Sequence, residues 1–341
     1  MSTDYRDAGV DIDAGNETVR RIKALARHTY TPGVLAGVGS FGGLFAPDPA
    51  VSDPVLVASA DGVGTKLNVA FMAGVHDTIG VDLVNHCVND ILVQGARPMF
   101  FLDYLATGRL APAIAEQIVR GIAAACRDNG CALLGGETAE MPGFYADGQY
   151  DVAGFIVGIV SRSRIVDGRS IVTGDALIAL PSSGLHTNGY SLARKIAFDR
   201  LKLDVDSPVD DLGETVGAAF LRPHRSYLSV VAPLLDLGGI KGMAHITGGG
   251  ITENLPRALP AALSFSLDRG SWTVPPVFRW LQQAGDVNEA EMMRTFNMGV
   301  GLILVCAPDR AVELLDVLHR AGEPAWVIGQ VVQGDGGVFH R

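Results

Sequence analysis

Residues 78–94 constrain this chain more than any other stretch. Ile79, Val81, Leu83, Val84, Val88, Ile91, Leu92 and Val93 fall on nearly every side of the helix their spacing predicts. A helix that is apolar all round belongs in a core. Yet Asp82, Asn85, His86, Asn89 and Asp90 recur at helical spacings along one side of it. Such a stripe is either a solvated face or a wall of a site where a cation offsets the cost of burying carboxylates. Any fold open to this chain must bury the helix and give its polar side a partner.

The rest of the chain supplies mixed α/β material in two halves. The first half reads as a helix over 16–28, a glycine-rich loop over 33–43, and an apolar strand over 55–60. A strand over 99–104, a helix over 111–127 stopped by Asn129-Gly130, and strands over 131–134 and 152–160 follow. Residues 161–175 are polar without an apolar period, which marks a boundary between domains of about 1–165 and 166–341. In the second half, strands are expected at 176–180, 243–246, 299–307 and 325–331. Helices are expected at 190–201, 227–237 and 309–320, with one more after Thr247-Gly248-Gly249-Gly250.

Composition narrows the function. A net charge of −10 makes a phosphate-backbone footprint, and so a nucleic-acid partner, a poor fit. No apolar run is long enough to span a bilayer and no secretory leader is visible, so a cytoplasmic protein is expected. Cys87, Cys126, Cys131 and Cys306 form no C-x-x-C pair and read as reduced thiols. The 42 glycines cluster between strands and helices, where backbone approaches a ligand or turns sharply.

The motifs point to nucleotide chemistry by an unusual route. Gly37-Val38-Gly39-Ser40-Phe41-Gly42 matches a dinucleotide fingerprint, but Gly43-Leu44-Phe45-Ala46-Pro47 behind it cannot open a helix. A phosphate-covering loop and an ordinary surface loop are the readings left. No Gly-Lys dipeptide exists, which excludes a P-loop. Asp61, at a strand end before Gly62, Gly64, Thr65 and Lys66, joins Asn89 and Asp90 of the helix stripe. Gly135-Gly136-Glu137-Thr138-Ala139-Glu140 adds two carboxylates, expected in a tight loop after a strand. Oxygen ligands without a His/Cys cluster favour magnesium or manganese over zinc. In the second half, Thr247, Gly248, Gly249 and Gly250 offer backbone N–H groups to an anion, or form a plain turn. The loop around His186 is dense in donors and precedes a helix.

These motifs, in this order, resemble the phosphoribosylformylglycinamidine cyclo-ligase family, also called aminoimidazole ribonucleotide synthetases. The likeness runs from Tyr5–Asn16 through Asp61–Lys66, Val88–Gly95, Phe100–Tyr104, Gly135–Gly143, the His186 loop and Ala244–Gly250 to Phe296–Gly301. Leu185 and Thr187 depart from the residues this family often carries beside that histidine. The resemblance implies an α+β protomer of two domains whose N-terminal halves pair into a closed sheet in a homodimer. It implies ATP and Mg2+, admits K+, and assigns nucleotide binding to Asp61–Lys66, Asn89, Asp90, Glu137 and Lys23 of the opening helix. It also implies a phosphoribosyl substrate, its phosphate placed at Thr247–Gly250. The candidate set is therefore Asp61, Lys66 and His186 for catalysis and Asp61, Asn89, Asp90, Glu137 and Glu140 for metal. Selenophosphate synthetases and thiamine-monophosphate kinases are sister groups. The former usually carry a reactive cysteine or selenocysteine in the glycine loop, which residues 33–43 lack.

Overall fold

The computed structural model describes residues 9–39, 41–260 and 262–340. Tyr5–Ala8 of the opening motif and Ser40 of the glycine loop lie outside the described residues. The chain forms two compact units, one drawn from Met1–Ile91 and Ala96–Arg162, the other from Leu92–Gly95 and Ser163–Arg341.

The first unit opens with α1 (Ile12–Arg27), which starts four residues before the apolar period predicts. Asp11 caps it, its carboxylate accepting the N–H groups of Asp13 and Ala14. A small hairpin, β1 (Val34–Ala36) and β2 (Leu44–Phe45), brackets the glycine loop. Then come β3 (Pro54–Gly62), a single 3₁₀ turn at Gly64–Lys66, α2 (Leu67–Ala73), α3 (Asp77–Leu92), β4 (Arg97–Thr107), α4 (Pro112–Asp128), β5 (Ala132–Glu140) and β6 (Tyr150–Ser161). The sheet order is β3-β6-β4-β5, antiparallel except for the β4–β5 pair that α4 connects. Helices cover one face. The other is left open, which is why β6 alternates between buried and more exposed positions. α3 and α4 cross backbone to backbone at Gly80 and Gly121. A Cβ on Gly80 would land on the Ile118 carbonyl oxygen and one on Gly121 on that of Asp77. That closeness seals Ile79, Leu83, Val84, Cys87, Val88 and Ile91 completely.

In the second unit the main sheet has order β10-β12-β7-β13-β11-β14. Its strands are β7 (Ala176–Pro181), β10 (Ile240–His245), β11 (Leu263–Leu267), β12 (Val300–Cys306), β13 (Trp326–Gln333) and β14 (Val338–His340). A two-residue pair, β8 (Pro208–Val209) and β9 (Glu214–Thr215), stands apart. The helices are α5 (Tyr190–Arg194), α6 (Val216–Leu221), α7 (Leu228–Leu237), α8 (Gly250–Asn254), α9 (Pro276–Gly285), α10 (Glu289–Thr295) and α11 (Pro308–Arg320). The helix expected over 190–201 breaks into α5 and a π-helical stretch, Lys195–Arg200. β7 and β12 are buried along almost their whole length, so both read as continuous apolar runs. One core layer packs Tyr227, Val231, Leu234, Leu314 and Leu318 on Leu180, Leu302 and Leu304.

Candidate active site

The helix stripe is buried, not solvated, and each member has a separate job. Asp61, in the last turn of β3, shares the helix-covered face with Ser59. His86 Nε2 on α3 lies 2.7 Å from one Asp61 carboxylate oxygen and 3.8 Å from Asp90. Ser59 Oγ donates to Asp90 at 3.0 Å. Burial pulls the His86 imidazole down, but the Asp61 and Asp90 carboxylates outweigh it and hold His86 above its ordinary value. Asn89 is fully buried on the same helix. Asp61 is the outermost carboxylate, its side chain 43% exposed, with Gly64 and Thr65 exposed just beyond it. Two carboxylates and an imidazole thus meet at the outer end of this face.

Five sequence expectations change. Lys66, expected to face a phosphate, is fully buried, and its ammonium lies 2.8 Å from both oxygens of an equally buried Asp82. Asn85 accepts the Asn129 side-chain N–H at 2.9 Å, which ties α3 to the end of α4. Residues 135–140, expected in a tight loop, continue β5 to its end. Glu140 consequently accepts the backbone N–H of Asp11 at one oxygen and of Leu110 at the other, both at 2.7 Å. That carboxylate staples the N-terminus of α1 to the sheet rather than joining Asp61. Glu137 is exposed, but it pairs with Tyr104 in a register that puts it on the open face, opposite Asp61.

The carboxylate that does share the Asp61 face is Asp103, in register with Gly154 and Gly136. A side chain at position 136 would strike the Asp103 carboxylate, so that glycine makes room for it. Burial pushes the Asp103 carboxyl up to about 7. Asp103 stands in the recognised stretch 100–104, yet its environment depends on strand register, which the sequence does not print. At the sheet end near Tyr150, a cavity of about 150 Å³ is lined by Leu105, Thr107, Ile114, Ile118 and Tyr150.

Lys23 fares differently from Lys66. It and Arg27, one turn on along α1, line a cleft of about 400 Å³ whose far wall is the backbone of Val34–Gly39. A Cβ on Gly39 would come within 3.2 Å of Lys23 Nζ, so the glycine backbone lies directly against this cation. Two basic side chains facing a glycine-rich backbone can receive phosphate oxygens.

In the second unit, the loops following β7 and β10 and the loop preceding β12 meet at one end of the sheet. Asn297 stitches two of them, accepting from Ser182 Oγ at 2.8 Å and donating to the Gly184 carbonyl at 2.9 Å. His186 is fully buried in left-handed backbone, φ 61°. For a residue with a Cβ, that costs about 1–3 kcal/mol. Its Nε2 accepts the Ser183 N–H at 3.1 Å and its ring stacks on His224 at 3.9 Å between centroids. His224 Nε2 in turn lies 3.0 Å from His245 Nε2. His224 lies between α6 and α7 and His245 ends β10, and the fold brings both to His186. The glycine loop also differs from expectation. Gly250 is buried, its N–H already donates to the Thr247 carbonyl, and a Cβ there would meet the Met293 carbonyl. Asn254 binds the Gly248 and Gly250 carbonyls, and Thr247 Oγ1 donates to its side chain. Only Gly248 of the four residues is exposed, beside Asn188 Oδ1.

Comparison with known proteins agrees over both units. Residues 46–160 match the family model "AIR synthase related protein, N-terminal domain", and 172–341 match its C-terminal counterpart. The chain is 56% identical to a phosphoribosylformylglycinamidine cyclo-ligase of Trichlorobacter lovleyi, over 96% of this chain and 94% of that one. Among solved structures it is similar to a thiamine-monophosphate kinase from Stenotrophomonas maltophilia, with a TM-score of 0.72 and 19% identity over 95% of each chain. It is also similar to the hydrogenase maturation protein HypE in complex with ATP, with a TM-score of 0.67 and 21% identity over 94% of this chain and 90% of that one. At such identities the structural likenesses establish the fold alone.

Proposed function

Since this chain belongs to the phosphoribosylformylglycinamidine cyclo-ligase family, and is a ligase, we propose that it uses ATP to close formylglycinamidine ribonucleotide into 5-aminoimidazole ribonucleotide, releasing ADP and phosphate, in de novo purine biosynthesis. The observation that carries this reading is identity of 56% sustained across nearly the whole of both chains. A relative of the same fold holds ATP, which supports the nucleotide assignment. Mg2+ is the expected partner of that ATP, with K+ as a further cation.

The chemistry explains why ATP is needed. A formamide oxygen is a poor leaving group, so an amidine nitrogen cannot displace it. Transfer of the γ-phosphoryl group forms an O–P bond to that oxygen, breaks the bond to the β-phosphate and frees ADP. The resulting iminophosphate carbon accepts the neighbouring nitrogen. A C–N bond forms, the C–O bond breaks with loss of phosphate, and the nitrogen gives up a proton. Lys23 and Arg27 suit the polyphosphate, across from the glycine backbone. The cavity beside Leu105, Ile114 and Tyr150 has the volume of one flat ring and suits the base.

Asp61 and Asp90, with Asn89 behind them, fit a magnesium ion. They are oxygen donors gathered at one place, and Asp61 is open to solvent. Bound there, the ion would lower the cost of negative charge on the phosphoryl oxygens. His86 holds the two carboxylates together and keeps Asp61 turned toward the strand end. Asn188, next to exposed Gly248, suits the substrate's own phosphate.

A homodimer formed through the first domain, about 1–165, is supported by the sheet face that helices do not cover. There Leu56 is 64% exposed, Phe155 44% and Tyr104 37%. Side chains of this kind, gathered on one sheet face, favour a partner surface. In this reading that domain binds ATP and metal, the second, about 166–341, binds the substrate phosphate, and the protein works in the cytoplasm. Among the described residues no helix is long and apolar enough to cross a membrane.

The test is incubation of the full chain with ATP, Mg2+ and formylglycinamidine ribonucleotide, followed by mass analysis. The aminoimidazole product, ADP and phosphate in equal amounts are expected. A phosphorylated, uncyclised product would place the chain with the kinases of this fold, and no turnover would refute the assignment.

A further inference from the structure

We propose that Thr187, His224 and His245 form a proton relay that carries away the proton released when the imidazole ring closes; this rests on the cyclisation reading above. The three groups form one chain. Thr187 Oγ1 lies 3.4 Å from His224 Nδ1, and His224 Nε2 lies 3.0 Å from His245 Nε2. His224 is fully buried, while Thr187 and His245 keep 9% and 6% of their surface.

Two imidazole nitrogens at 3.0 Å must have one hydrogen between them, because two lone pairs or two N–H groups would repel. The tautomer of each ring therefore fixes the other. With Nε2–H on His224, its Nδ1 takes the Thr187 hydroxyl proton and His245 carries its own proton on Nδ1. A proton accepted by Thr187 Oγ1 then moves the whole row. The Thr187 proton passes to His224 Nδ1, the His224 Nε2 proton passes to His245 Nε2, and one leaves His245 Nδ1 for water, which reaches the 6% of His245 that stays exposed. One proton enters, one departs, and each ring ends neutral in its other tautomer. The 3.4 Å link is longer than an ordinary hydrogen bond and has to shorten by a few tenths of an ångström for transfer.

The arrangement also separates the roles of the histidines. His186 Nε2 is engaged by the Ser183 N–H, and its ring lies face to face with His224, an interplanar angle of 18°. A stacked ring cannot donate in the plane of its neighbour. His186 is thus the platform that sets the His224 plane, and His224 and His245 move the proton. Thr187 Oγ1 is the outer end of the row, on the loop that follows β7, and Thr187 keeps 9% of its surface.

Two variants of the full chain decide the matter, assayed with ATP, Mg2+ and formylglycinamidine ribonucleotide. His224→Phe keeps a ring stacked on His186 but has no nitrogens. It is expected to fold with the wild-type unfolding midpoint, bind ATP with unchanged Kd, and cyclise about 100-fold more slowly or worse. His224→Ala opens a ring-sized space and is expected to regain at least about tenfold of lost turnover with added imidazole, the ring that the substitution removes. Thiazole, of similar shape and far weaker basicity, should restore none of it. A packing role predicts equal rescue by both rings. The relay is overturned if His224→Phe turns over within about twofold of wild type, if thiazole rescues as well as imidazole, or if imidazole fails to rescue folded His224→Ala. Wild-type protein that makes no cyclised product refutes the parent reading, and the relay with it.

Discussion

Breaking the Lys66–Asp82 pair should reveal how the first domain tolerates charge in its core. Both side chains are wholly excluded from solvent, and the ammonium sits 2.8 Å from each carboxylate oxygen. Lys66→Met leaves a carboxylate buried without its counter-ion, which costs about 3–5 kcal/mol. For a domain of this size that lowers Tm by roughly 10 °C or more. Asp82→Leu strands the ammonium instead, and a softer penalty is expected. Burial already pulls the Lys66 amine below its ordinary value against the opposing pull of Asp82, so without Asp82 the amine sheds its proton. A lysine whose folded pKa is depressed binds fewer protons folded than unfolded, so the stability of Asp82→Leu should rise with pH up to the ordinary lysine range. The double variant removes both charges and should lie within about 1–2 kcal/mol of wild type, far from the sum of the singles. Urea unfolding of all four proteins at two pH values measures each quantity. Additive single effects, or an Asp82→Leu protein that loses stability as pH rises, would refute the reasoning. Turnover of the folded double variant also tests the reassignment of Lys66: retained activity keeps it in the core, and lost activity with restored stability returns it to the phosphate.

Asp61→Asn and Asp90→Asn should each abolish turnover, a loss of at least about 100-fold, while circular dichroism and unfolding stay close to wild type; full activity in either would remove the metal assignment. Phe155→Glu puts a charge on the open sheet face and should convert a dimer to monomer by light scattering, whereas a wild-type protein that is already monomeric at micromolar concentration would rule the dimer out. Asp103 holds more protons folded than unfolded between about pH 4 and 7, since its carboxyl is raised to about 7, so it erodes stability as pH climbs through that window. Asp103→Asn should flatten that slope in denaturation curves, and an unchanged slope would mean the carboxyl is not desolvated as its position implies.

What was legible in the sequence divides along a physical line. The period of residues 78–94 predicted a buried helix, and α3 is one, because 3.6-residue spacing is a local property. The strands over 152–160 and 176–180 were equally plain, since apolar runs bounded by polar turns need no distant partner to be recognised. Glu140 shows the limit. Two carboxylates three residues apart look equivalent in sequence, yet the pleat alternates side chains and the strand ran further than its apolar part. One therefore became a staple on backbone N–H groups while the other turned to the open face. α9, α10 and β11 carry a weaker local signal: α10 is short and mostly charged or polar, α9 opens on Pro276 behind another proline, and β11 offers only five residues, Leu263-Ser264-Phe265-Ser266-Leu267.

The candidate sites repeat that division at the level of chemistry. Asp61, Asn89 and Asp90 stand out as candidates because strand end and helix stripe are local patterns, and α3 lies over β3 in the fold, which brings His86 and Asp90 to Asp61 and Ser59. His224 had no such pattern, and His245 stood in the Ala244–Gly250 motif where the glycines, not the histidine, carried the signal. They become a pair because β10 joins the sheet beside β12, which joins β7, and the segment between α6 and α7 folds back onto the end of β10. A sequence records which side chains exist, and a sheet's strand order decides which of them share a proton. That is why the residues on which the relay depends are those for which the sequence carried the weakest signal, and why substituting His224, not the more conspicuous His186, is the sharper probe of proton movement.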